Sequence, residues 1–584
     1  MKKTRTQTRP PVAAVRRDSS PKTDVPSQQA NQLFLQGNGH YDRAAFAEAI
    51  ACYQQAVQLA PRSDVIYCNL GSAYWAIGQR AAAMQAWQQA VTLNPKALEA
   101  HNNLGNGYTE EGLFTEARDS YQRALNLNPN LHAIHNNLAG LLTLQGQLSE
   151  AYQYYRRAME LDGNSTLYHS NYLLDLNYCD STSDQELLAA HQRYGQRFTS
   201  VQSGPIEWPR GEDPERPLRV GYVSGDFYES SIGFLIEPIL VHHQRDQFTP
   251  VCYSTGRRSD QVTVRLRDLA AQWRDVRGLD FEALAQQIRA DRIDILVDMI
   301  GHTTANRLPT FARKPAPVQI SYAGYINTTG LQAMDYYVGD EVTLPPGSER
   351  WFAERLLRLP PGLYCYQVPD YTPEVAPLPA LTSGRITFAS FNKVAKLTPF
   401  ILNIWCQLLL AVAGSRLIIK DKSVSDAATC QRLMDFFASR GVVADRLELR
   451  RHTALKDHLA DYGQVDIALD PHPFNGGITT LQALWQGVPV ISLLGSRHAS
   501  RVGASLAVAV GLDDLTVARS SADYVAKGVT LASDLPRLMT IRAGLRDRMR
   551  RTAMIDGARF TGHWERLLRT TWHHHCAAKN SDNP

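Results

Sequence analysis

The sequence predicts a helical solenoid followed by two α/β lobes, each built on a doubly wound parallel sheet. Three observations lead to this fold class. Small and aromatic residues return every 34 positions between residues 28 and 163. From Leu218 onward, short apolar strands alternate with helical segments in two successive series. The second series contains a strand–helix–strand unit with a Gly- and Thr-rich loop before its helix, an arrangement typical of doubly wound sheets.

The repeat is recognised from several positions that share one spacing. Pro61, Pro95 and Pro129 lie 34 residues apart. The same spacing links alanines and aromatic residues, namely Ala49, Ala83, Ala117 and Ala151, and Tyr53, Trp87, Tyr121 and Tyr155. Thirty-four residues is the period of the tetratricopeptide repeat, which consists of two antiparallel helices. About four repeats therefore fill residues 28–163, and stacking buries the apolar face of each unit.

A solenoid of this kind normally binds a peptide or protein on its concave face. Asparagines recur at the repeat spacing at Asn102, Asn103, Asn136 and Asn137. They are compatible with a ladder that grips a peptide backbone, and equally with ordinary repeat consensus. The expected partners are therefore protein or peptide substrates.

The remaining boundaries follow from changes in composition along the chain. Residues 1–27 are basic and poor in large apolar residues, which predicts a disordered tail. Residues 164–215 form a predicted helical linker or capping region. The first lobe is expected over 216–380, the second over 381–570, and a C-terminal tail over 571–584.

Composition excludes several classes of protein. The net charge is only +4 over 584 residues, so nucleic acid is not the expected partner. The sequence has no apolar run of the length that a membrane span requires. Its eight cysteines include no CxxC pair, which gives no indication of a zinc site or a disulfide framework. Without a visible secretory signal, a cytoplasmic location is expected.

The loop before the helix of the strand–helix–strand unit suits a phosphate. An apolar strand at 465–469 leads into a turn at 470–477, and a helix is predicted to begin at 478–480. The N-terminus of a helix presents free backbone N–H groups and the positive end of the helix dipole. Gly476 and Gly477 allow close approach of an anion, and Thr479 adds a hydroxyl group. A plain helix cap in any α/β protein remains the alternative.

Long collinear runs resemble one family. They are RVGYVSGDF (219–227), DILVDMIGHTTANRL (294–308), FARKPAPVQISYAGYINTTGLQAMDY (311–336), ITFASFNKVAKLTP (386–399) and the run 465–505. Together with the repeats they resemble the O-linked N-acetylglucosamine transferases and their Spindly-type relatives. The resemblance implies a GT-B fold of two Rossmann-like lobes with the nucleotide sugar between them. It also implies inverting transfer of a sugar to Ser or Thr of proteins, with no metal or other cofactor and with UDP-N-acetylglucosamine as the favoured donor.

The resemblance also carries site residues over to this chain. His191 matches a helical histidine that points into the cleft, and Lys396 matches the lysine that contacts the diphosphate; both are the catalytic candidates. The expected nucleotide-binding set is Asn392, Lys393, Lys396, His458, Gly476, Gly477, Ile478, Thr479 and Gln482. The expected sugar and acceptor loops contribute Ser230, Gly324, Tyr325, Thr328 and Thr329. His498 and Arg501 also match the family, and a structural role is expected for them.

Three departures from the family pattern bear on activity. Ser230 stands where the family has a histidine, Ile478 where it usually has threonine, and Gln482 where it has an acidic residue that helps to hold the ribose. A serine cannot titrate near neutral pH as an imidazole does. Three functions therefore stay open: transfer of N-acetylglucosamine from its UDP donor, transfer of fucose from GDP-fucose as implied by the Spindly branch, and a catalytically impaired protein-binding scaffold.

Overall fold

The computed structural model describes residues 28–199, 213–360 and 362–581. The basic tail predicted at 1–27 lies outside the described residues. Contacts within the chain define two compact units, one comprising the described residues up to 168 together with 422–432, and the other comprising the rest. Among the described helices, none is both long enough and apolar enough to cross a membrane.

The repeat unit is a series of antiparallel helix pairs. Its helices are α1 (Gln28–Asp42), α2 (Phe46–Leu59), α3 (Asp64–Ala76), α4 (Arg80–Leu93), α5 (Leu98–Glu111), α6 (Phe114–Leu127), α7 (His132–Leu144) and α8 (Leu148–Leu161). The turns within the last three pairs contain Gly78, Gly112 and Gly146, with φ of 82°, 78° and 76°. This left-handed backbone favours glycine, which explains why glycine recurs at the repeat spacing.

The 34-residue spacing of small and aromatic residues reflects contacts inside each pair. A Cβ atom on Gly71 would lie 2.5 Å from the indole nitrogen of Trp87. The ring of Trp87 is fully buried and donates its N–H to the Cys68 carbonyl at 3.1 Å. A small residue on the first helix therefore makes room for an aromatic residue on the second. The helical part of the predicted fold class is confirmed.

Two further helices, α9 (Thr166–Leu176) and α10 (Asp184–Phe198), follow the repeats in the predicted linker. At the start of α10 the Ser183 hydroxyl accepts the Glu186 N–H at 3.2 Å, while the Glu186 carboxylate accepts the Ser183 N–H at 2.8 Å. This capping box satisfies two N–H groups that a helix start leaves unpaired.

The first α/β lobe contains one seven-stranded parallel sheet. Its strands are β1 (Leu218–Ser224), β2 (Phe248–Ser254), β3 (Gln272–Asp275), β4 (Ile295–Asp298), β5 (Val318–Ser321), β6 (Tyr336–Gly339) and β7 (Arg355–Arg358). Its helices are α11 (Ser231–His242), α12 (Gln261–Leu269), α13 (Phe281–Ala290) and α14 (Leu308–Phe311). The strand order is β3-β2-β1-β4-β5-β6-β7, so the chain reverses its direction across the sheet between β1 and β4.

The second lobe repeats this plan with six strands. They are β8 (Thr387–Ser390), β9 (Arg416–Lys420), β10 (Leu447–Arg450), β11 (Ile467–Leu469), β12 (Val490–Leu493) and β13 (Val517–Ala518). Its helices are α15 (Ala380–Ser383), α16 (Pro399–Ala411), α17 (Ala427–Ala438), α18 (Leu455–Asp461), α19 (Ile478–Trp485), α20 (Val502–Ala509), α21 (Asp513–Thr516), α22 (Ser521–Ser533) and α23 (Leu535–Arg550). The order β10-β9-β8-β11-β12-β13 is again doubly wound, and the predicted fold class is confirmed.

The last helix, α24 (Gly557–Ser581), packs into the first lobe. Its residues Phe560, Trp564 and Trp572 are fully buried in the core around β1 and β4. The Trp564 indole N–H donates to the Tyr222 hydroxyl at 2.9 Å. The structure thus differs from the expectation that the second lobe runs to 570 and a tail follows. An apolar stripe at helical spacing continues past 570, and only the first lobe supplies its partner.

We expect Trp564→Ala to destabilise the protein by roughly 3–5 kcal/mol, because it leaves a cavity in the first-lobe core and removes the indole partner of Tyr222. Urea unfolding at neutral pH measures the loss. Arg566→Ala, an exposed position on the same helix, is the control and should change the unfolding free energy by less than about 0.5 kcal/mol. Equal effects of the two substitutions would contradict the assignment of α24 to this core.

Candidate active site

A crevice of the second lobe lies where its sheet reverses direction. The loops after β8 and β11 leave the carboxyl ends of neighbouring strands there, which is the usual ligand position in doubly wound sheets. This crevice is lined by residues of both loops and of nearby helices, among them Phe391, Asn392, Tyr462, Asp470 and Thr479. The sequence-predicted nucleotide residues Asn392 and Thr479 therefore lie in one place.

Lys396 lies beside the loop after β11. Its Nζ donates to the Asn475 carbonyl oxygen at 2.8 Å and lies 4.3 Å from the centre of the Phe474 ring. Burial and the neighbouring Lys393 lower the pKa of Lys396, while the carboxylate of Asp470 opposes that shift. An anionic ligand here would favour the charged ammonium. Lys393 itself has an exposed side chain.

The loop after β11 is held from inside by a buried carboxylate. Asp470 is 1% exposed and accepts the Gly476 N–H at 2.6 Å and the Ser492 hydroxyl at 2.7 Å. Burial raises the pKa of Asp470, and these two hydrogen bonds together with the Lys396 charge favour its ionised form. The Asn475 side chain donates to the Pro471 carbonyl at 2.8 Å. These hydrogen bonds fix the conformation of the loop, so the loop does not need a bound ligand to hold its shape.

The N-terminus of α19 opens onto this loop. Gly477 is its N-cap residue, and no side chain caps the helix. The first N–H groups of a helix have no intrahelical partner, so they are available to an anion. A Cβ atom on Gly476 would lie 2.5 Å from the Thr479 hydroxyl, which requires glycine at this position. That hydroxyl donates to the Asn392 side-chain oxygen at 3.3 Å, and Ile478, where the family usually has threonine, is partly exposed.

His458 forms one wall of the same region. Its imidazole is 5% exposed, its Nδ1 has no hydrogen-bond partner among the described residues, and burial lowers its pKa to about 3. Its ring centre lies 5.3 Å from that of Phe391 and 5.7 Å from that of Tyr462. Gln482, at the expected ribose position, is buried and interacts with both His458 and Tyr366. A neutral imidazole between aromatic rings suits an uncharged heterocycle.

The first lobe requires a correction for His191. This side chain is fully buried: its Nδ1 contacts the Leu187 carbonyl at 2.7 Å, and its Nε2 contacts the Tyr325 hydroxyl at 2.7 Å. Burial lowers its pKa to about 4, so it is neutral at pH 7. With both nitrogens bonded inside the protein it does not face the cleft as the resemblance implied. It holds Tyr325, and it is a positioning residue.

The threonines of the expected sugar loop also point inward. Thr328 and Thr329 are fully buried, and both hydroxyls donate to the carboxylate of Glu354, the first at 2.6 Å. Gly324 packs so closely on the Met299 carbonyl that a side chain would overlap it. The loop is therefore fixed by internal contacts, and both threonine hydroxyls donate their hydrogen bonds to Glu354.

Ser230 has a structural function in this chain. It is the N-cap of α11: its hydroxyl accepts the Gly233 N–H at 3.1 Å and donates to the Asp226 carbonyl at 2.6 Å. Serine is among the best N-cap residues, whereas histidine is not. The neighbouring Glu229 is exposed and accepts a hydrogen bond from Tyr371. Neither residue presents a titratable group that replaces the family histidine in the cleft.

The loop after β12 joins the two lobes. Arg501 donates to the Val342 carbonyl at 2.6 Å and to the Gly495 carbonyl at 2.9 Å. His498 is 5% exposed, and its ring packs edge-on against Tyr337 at 5.5 Å. Both residues thus make structural contacts.

Sequence reasoning missed two aromatic residues near Lys396. The ring of Tyr178, between α9 and α10, lies 4.9 Å from that of Phe474, whose ring in turn lies under the Lys396 ammonium. Phe474 lies inside the predicted phosphate loop, but nothing in the sequence indicates that its apolar ring contacts the Lys396 ammonium. Tyr178 lies almost 300 positions away in the chain, so no local pattern connects it to this site.

The sequence of this chain matches the profiles of known protein families. The sequence profile of the family described as "Glycosyl transferase family 41" matches residues 192–371 and 378–563, which is more than half of the chain. The chain belongs to glycosyl transferase family 41. Profiles of tetratricopeptide repeats match residues 37–78, 68–132 and 110–166, which confirms the predicted solenoid.

Curated relatives of this family 41 chain include plant proteins. One from Solanum lycopersicum, described as "Probable UDP-N-acetylglucosamine--peptide N-acetylglucosaminyltransferase SPINDLY", is 39% identical over 411 residues, which is 70% of this chain and 44% of the relative. A SEC protein of Arabidopsis thaliana with the same enzymatic description is 31% identical over 62% of this chain and 38% of the relative. The chain thus spans less than half the length of these relatives.

A solved structure extends the similarity to most of this chain. It is a lysine-to-methionine mutant of the O-GlcNAc transferase of Thermobaculum terrenum, with 34% sequence identity and a TM-score of 0.83. The match covers 88% of this chain and 98% of that one. The suspected family resemblance is confirmed. Within the described residues, no group of three or more His, Cys, Asp or Glu side chains is arranged to hold a metal ion.

We expect His191→Ala to destabilise the protein by about 2–3 kcal/mol at pH 7.5, because Tyr325 loses its buried acceptor. The loss should be about 2 kcal/mol smaller at pH 5. The folded pKa is about 4 and the ordinary value is 6.5, so between these values only the unfolded state takes up the proton, and the histidine stabilises less as pH falls.

Urea unfolding of both proteins at pH 7.5 and pH 5 measures this difference. The control is His242→Ala at an exposed position, whose effect should be small at both pH values. A His191→Ala effect that stays the same at the two pH values would contradict a neutral, buried His191.

Proposed function

We propose that this protein is an inverting O-glycosyltransferase that transfers N-acetylglucosamine from UDP-N-acetylglucosamine to Ser or Thr of proteins, without a metal ion, in the cytoplasm. One observation carries the proposal: the Lys396 ammonium and the uncapped N-terminus of α19 lie together at the reversal point of the second sheet. Membership of glycosyl transferase family 41 supports the reaction class.

The chemistry follows from these groups. An acceptor hydroxyl attacks the anomeric carbon while the nucleoside diphosphate leaves from the opposite face, so negative charge grows on the diphosphate. Fixed donors aimed at growing charge stabilise the transition state more than the ground state. The Lys396 ammonium and the first N–H groups of α19 are such donors. Because Ser230 caps a helix and His191 is buried, we assign the main catalytic contribution of this chain to stabilisation of the leaving group.

The nucleotide base occupies, in this proposal, the crevice bounded by Phe391, Tyr462 and His458. The two aromatic rings offer apolar surface, and the unpartnered Nδ1 of His458 offers one hydrogen bond to a base edge. Gln482 then contacts the ribose through its amide, where the family has a carboxylate. An amide keeps one accepting oxygen at that position and replaces the second oxygen and the charge with a donating NH2 group.

A second donor, GDP-fucose, is the alternative. It rests on the resemblance of the sequence motifs to the Spindly branch, whereas the SPINDLY and SEC proteins matched here are both described as using UDP-N-acetylglucosamine. The impaired-scaffold alternative rests on Ser230, Ile478 and Gln482. The hydrogen bonds that hold Lys396 and the loop after β11 argue against this alternative.

The protein substrate is proposed to bind along the repeats. Asn137 donates to the side-chain oxygens of Asn102 at 3.0 Å and Asn106 at 3.1 Å, and thereby links the first helices of two neighbouring repeats. The Nδ2 atoms of Asn102 and Asn106 are buried and have no partner among the described residues. These two unpaired amide groups lie four residues apart on α5, and we propose that they donate to carbonyl groups of the peptide.

We expect transfer to a protein or peptide acceptor from UDP-N-acetylglucosamine in the presence of a metal chelator. Lys396→Ala should lower the affinity for UDP by roughly 1.5–3 kcal/mol, as expected for a lost hydrogen bond to a charged group, and should lower turnover further. Calorimetry with UDP and GDP, and transfer assays with both sugar donors, measure these effects.

The matched control is Lys456→Ala, a charge deletion on α18. Lys456 is exposed, so this variant should keep wild-type affinity and turnover. If transfer occurs only from GDP-fucose, GDP-fucose is the donor, and the proposed diphosphate site is retained. An absolute need for a divalent metal, or unchanged affinity in Lys396→Ala, would refute the proposed diphosphate site.

We expect Asn102→Ala to lower kcat/KM for protein acceptors about tenfold and to leave the affinity for UDP unchanged, since the substitution removes hydrogen-bonding groups from the repeats and none from the diphosphate site. Initial rates with a protein acceptor measure the first effect, and calorimetry the second. Gln122→Ala, an exposed side chain on α6, serves as the control and should change neither. Equal kcat/KM values in the wild type, Asn102→Ala and Gln122→Ala would show that Asn102 does not contribute to acceptor binding.

A further inference from the structure

The segment between the two lobes is anchored at several points just before the second lobe begins. The Tyr322 hydroxyl donates to the Leu363 carbonyl at 3.0 Å, and the Tyr366 N–H donates to the Met554 carbonyl at 2.7 Å. The Gln367 N–H donates to the Phe234 carbonyl at 2.8 Å. Tyr364 lies between these anchored residues, and they fix the position of its backbone.

The ring of Tyr364 lies over the start of α19. Its Cε2 atom is 3.7 Å from the position that a Cβ atom on Gly477 would take, and no other heavy atom lies within 4 Å of that position. Gly477 is the N-cap of this eight-residue helix. Cε2 is bonded to the ring carbon that carries the hydroxyl, so the hydroxyl end of the ring is the end beside Gly477.

Three other buried tyrosines around the cleft use their hydroxyls inside the protein. Tyr322 donates to a backbone carbonyl, Tyr337 donates to the Tyr325 carbonyl at 2.8 Å, and Tyr462 donates to the Thr479 carbonyl at 3.0 Å. Tyr364 is 5% exposed, yet its hydroxyl has no hydrogen-bond partner among the described residues. A hydroxyl that makes no hydrogen bond inside the protein keeps its donor for a ligand.

We propose that Tyr364 is a substrate-contacting residue, whose hydroxyl donates a hydrogen bond to the diphosphate bound at the N-terminus of α19. This inference rests on the proposed function, because it assigns a further donor to the same site. The phenol adds a third kind of donor to the ammonium of Lys396 and the backbone N–H groups. Burial raises the pKa of Tyr364, so the hydroxyl keeps its proton at neutral pH and remains a donor.

Calorimetry of the full chain with UDP, GDP and inorganic pyrophosphate tests the proposal. Tyr364→Phe should bind all three ligands roughly tenfold more weakly, as expected when a hydrogen bond to a charged group is lost. Thermal unfolding without ligand should be unchanged or slightly raised, because the removed hydroxyl has no partner in the free protein. A purely structural role would instead lower the unfolding temperature.

The matched control is Tyr222→Phe, which removes an equally buried phenol from the first-lobe core, where it contacts His243 at 2.8 Å. This variant should lose stability and keep its affinity for UDP. Wild-type affinity in Tyr364→Phe together with weakened binding in Lys396→Ala would overturn this inference alone. Wild-type affinity in both variants, or no binding of UDP or GDP by the wild type, would overturn the donor site and this inference together.

Discussion

The candidate site depends on one buried carboxylate. Asp470 ends β11 and fixes the loop that follows by accepting the Gly476 N–H and the Ser492 hydroxyl. The same charge counters the cost of burying Lys396. An unpaired charge of either sign would be expensive in this environment, so each member of the pair stabilises the ionised form of the other. The loop therefore presents its glycine and the start of α19 in one fixed geometry before any ligand arrives.

The first lobe uses its polar residues differently. Glu354 holds Thr328 and Thr329, and His191 holds Tyr325, all in the interior. Buried polar groups need partners, and these residues find them within the lobe. Their function is to fix a loop whose backbone then borders the cleft. This division explains why residues that match the family pattern need not touch the substrate themselves.

Ser230 illustrates how one position exchanges a chemical role for a structural one. A serine at the start of α11 satisfies the Gly233 N–H and is satisfied in turn through the Asp226 carbonyl. A histidine there would offer a titratable ring and a weaker cap. If leaving-group stabilisation supplies most of the rate, loss of that ring is tolerable. If proton transfer supplies most of it, the chain is a poor catalyst, and the repeats become its main functional part.

The sequence by itself determined the features that depend on local periodicity. The 34-residue repeat, the alternation of strands and helices, and the helix start at 478–480 could all be predicted, because each follows from turns, glycine positions and apolar spacing within a few dozen residues. Lys396 and the glycine loop were found because they lie in long continuous motifs, and the structure brings them together across the reversal point of one sheet.

Only the tertiary structure decided which groups face inward. The burial of His191, the return of α24 to the first lobe, and the positions of Tyr178 and Tyr364 beside the second lobe depend on contacts between residues more than a hundred positions apart. The spacing of side chains along a helix or strand defines a face but not the surface on which it packs. Whether a histidine is a base or a support, and whether a tyrosine hydroxyl is free for a ligand, is fixed by that packing.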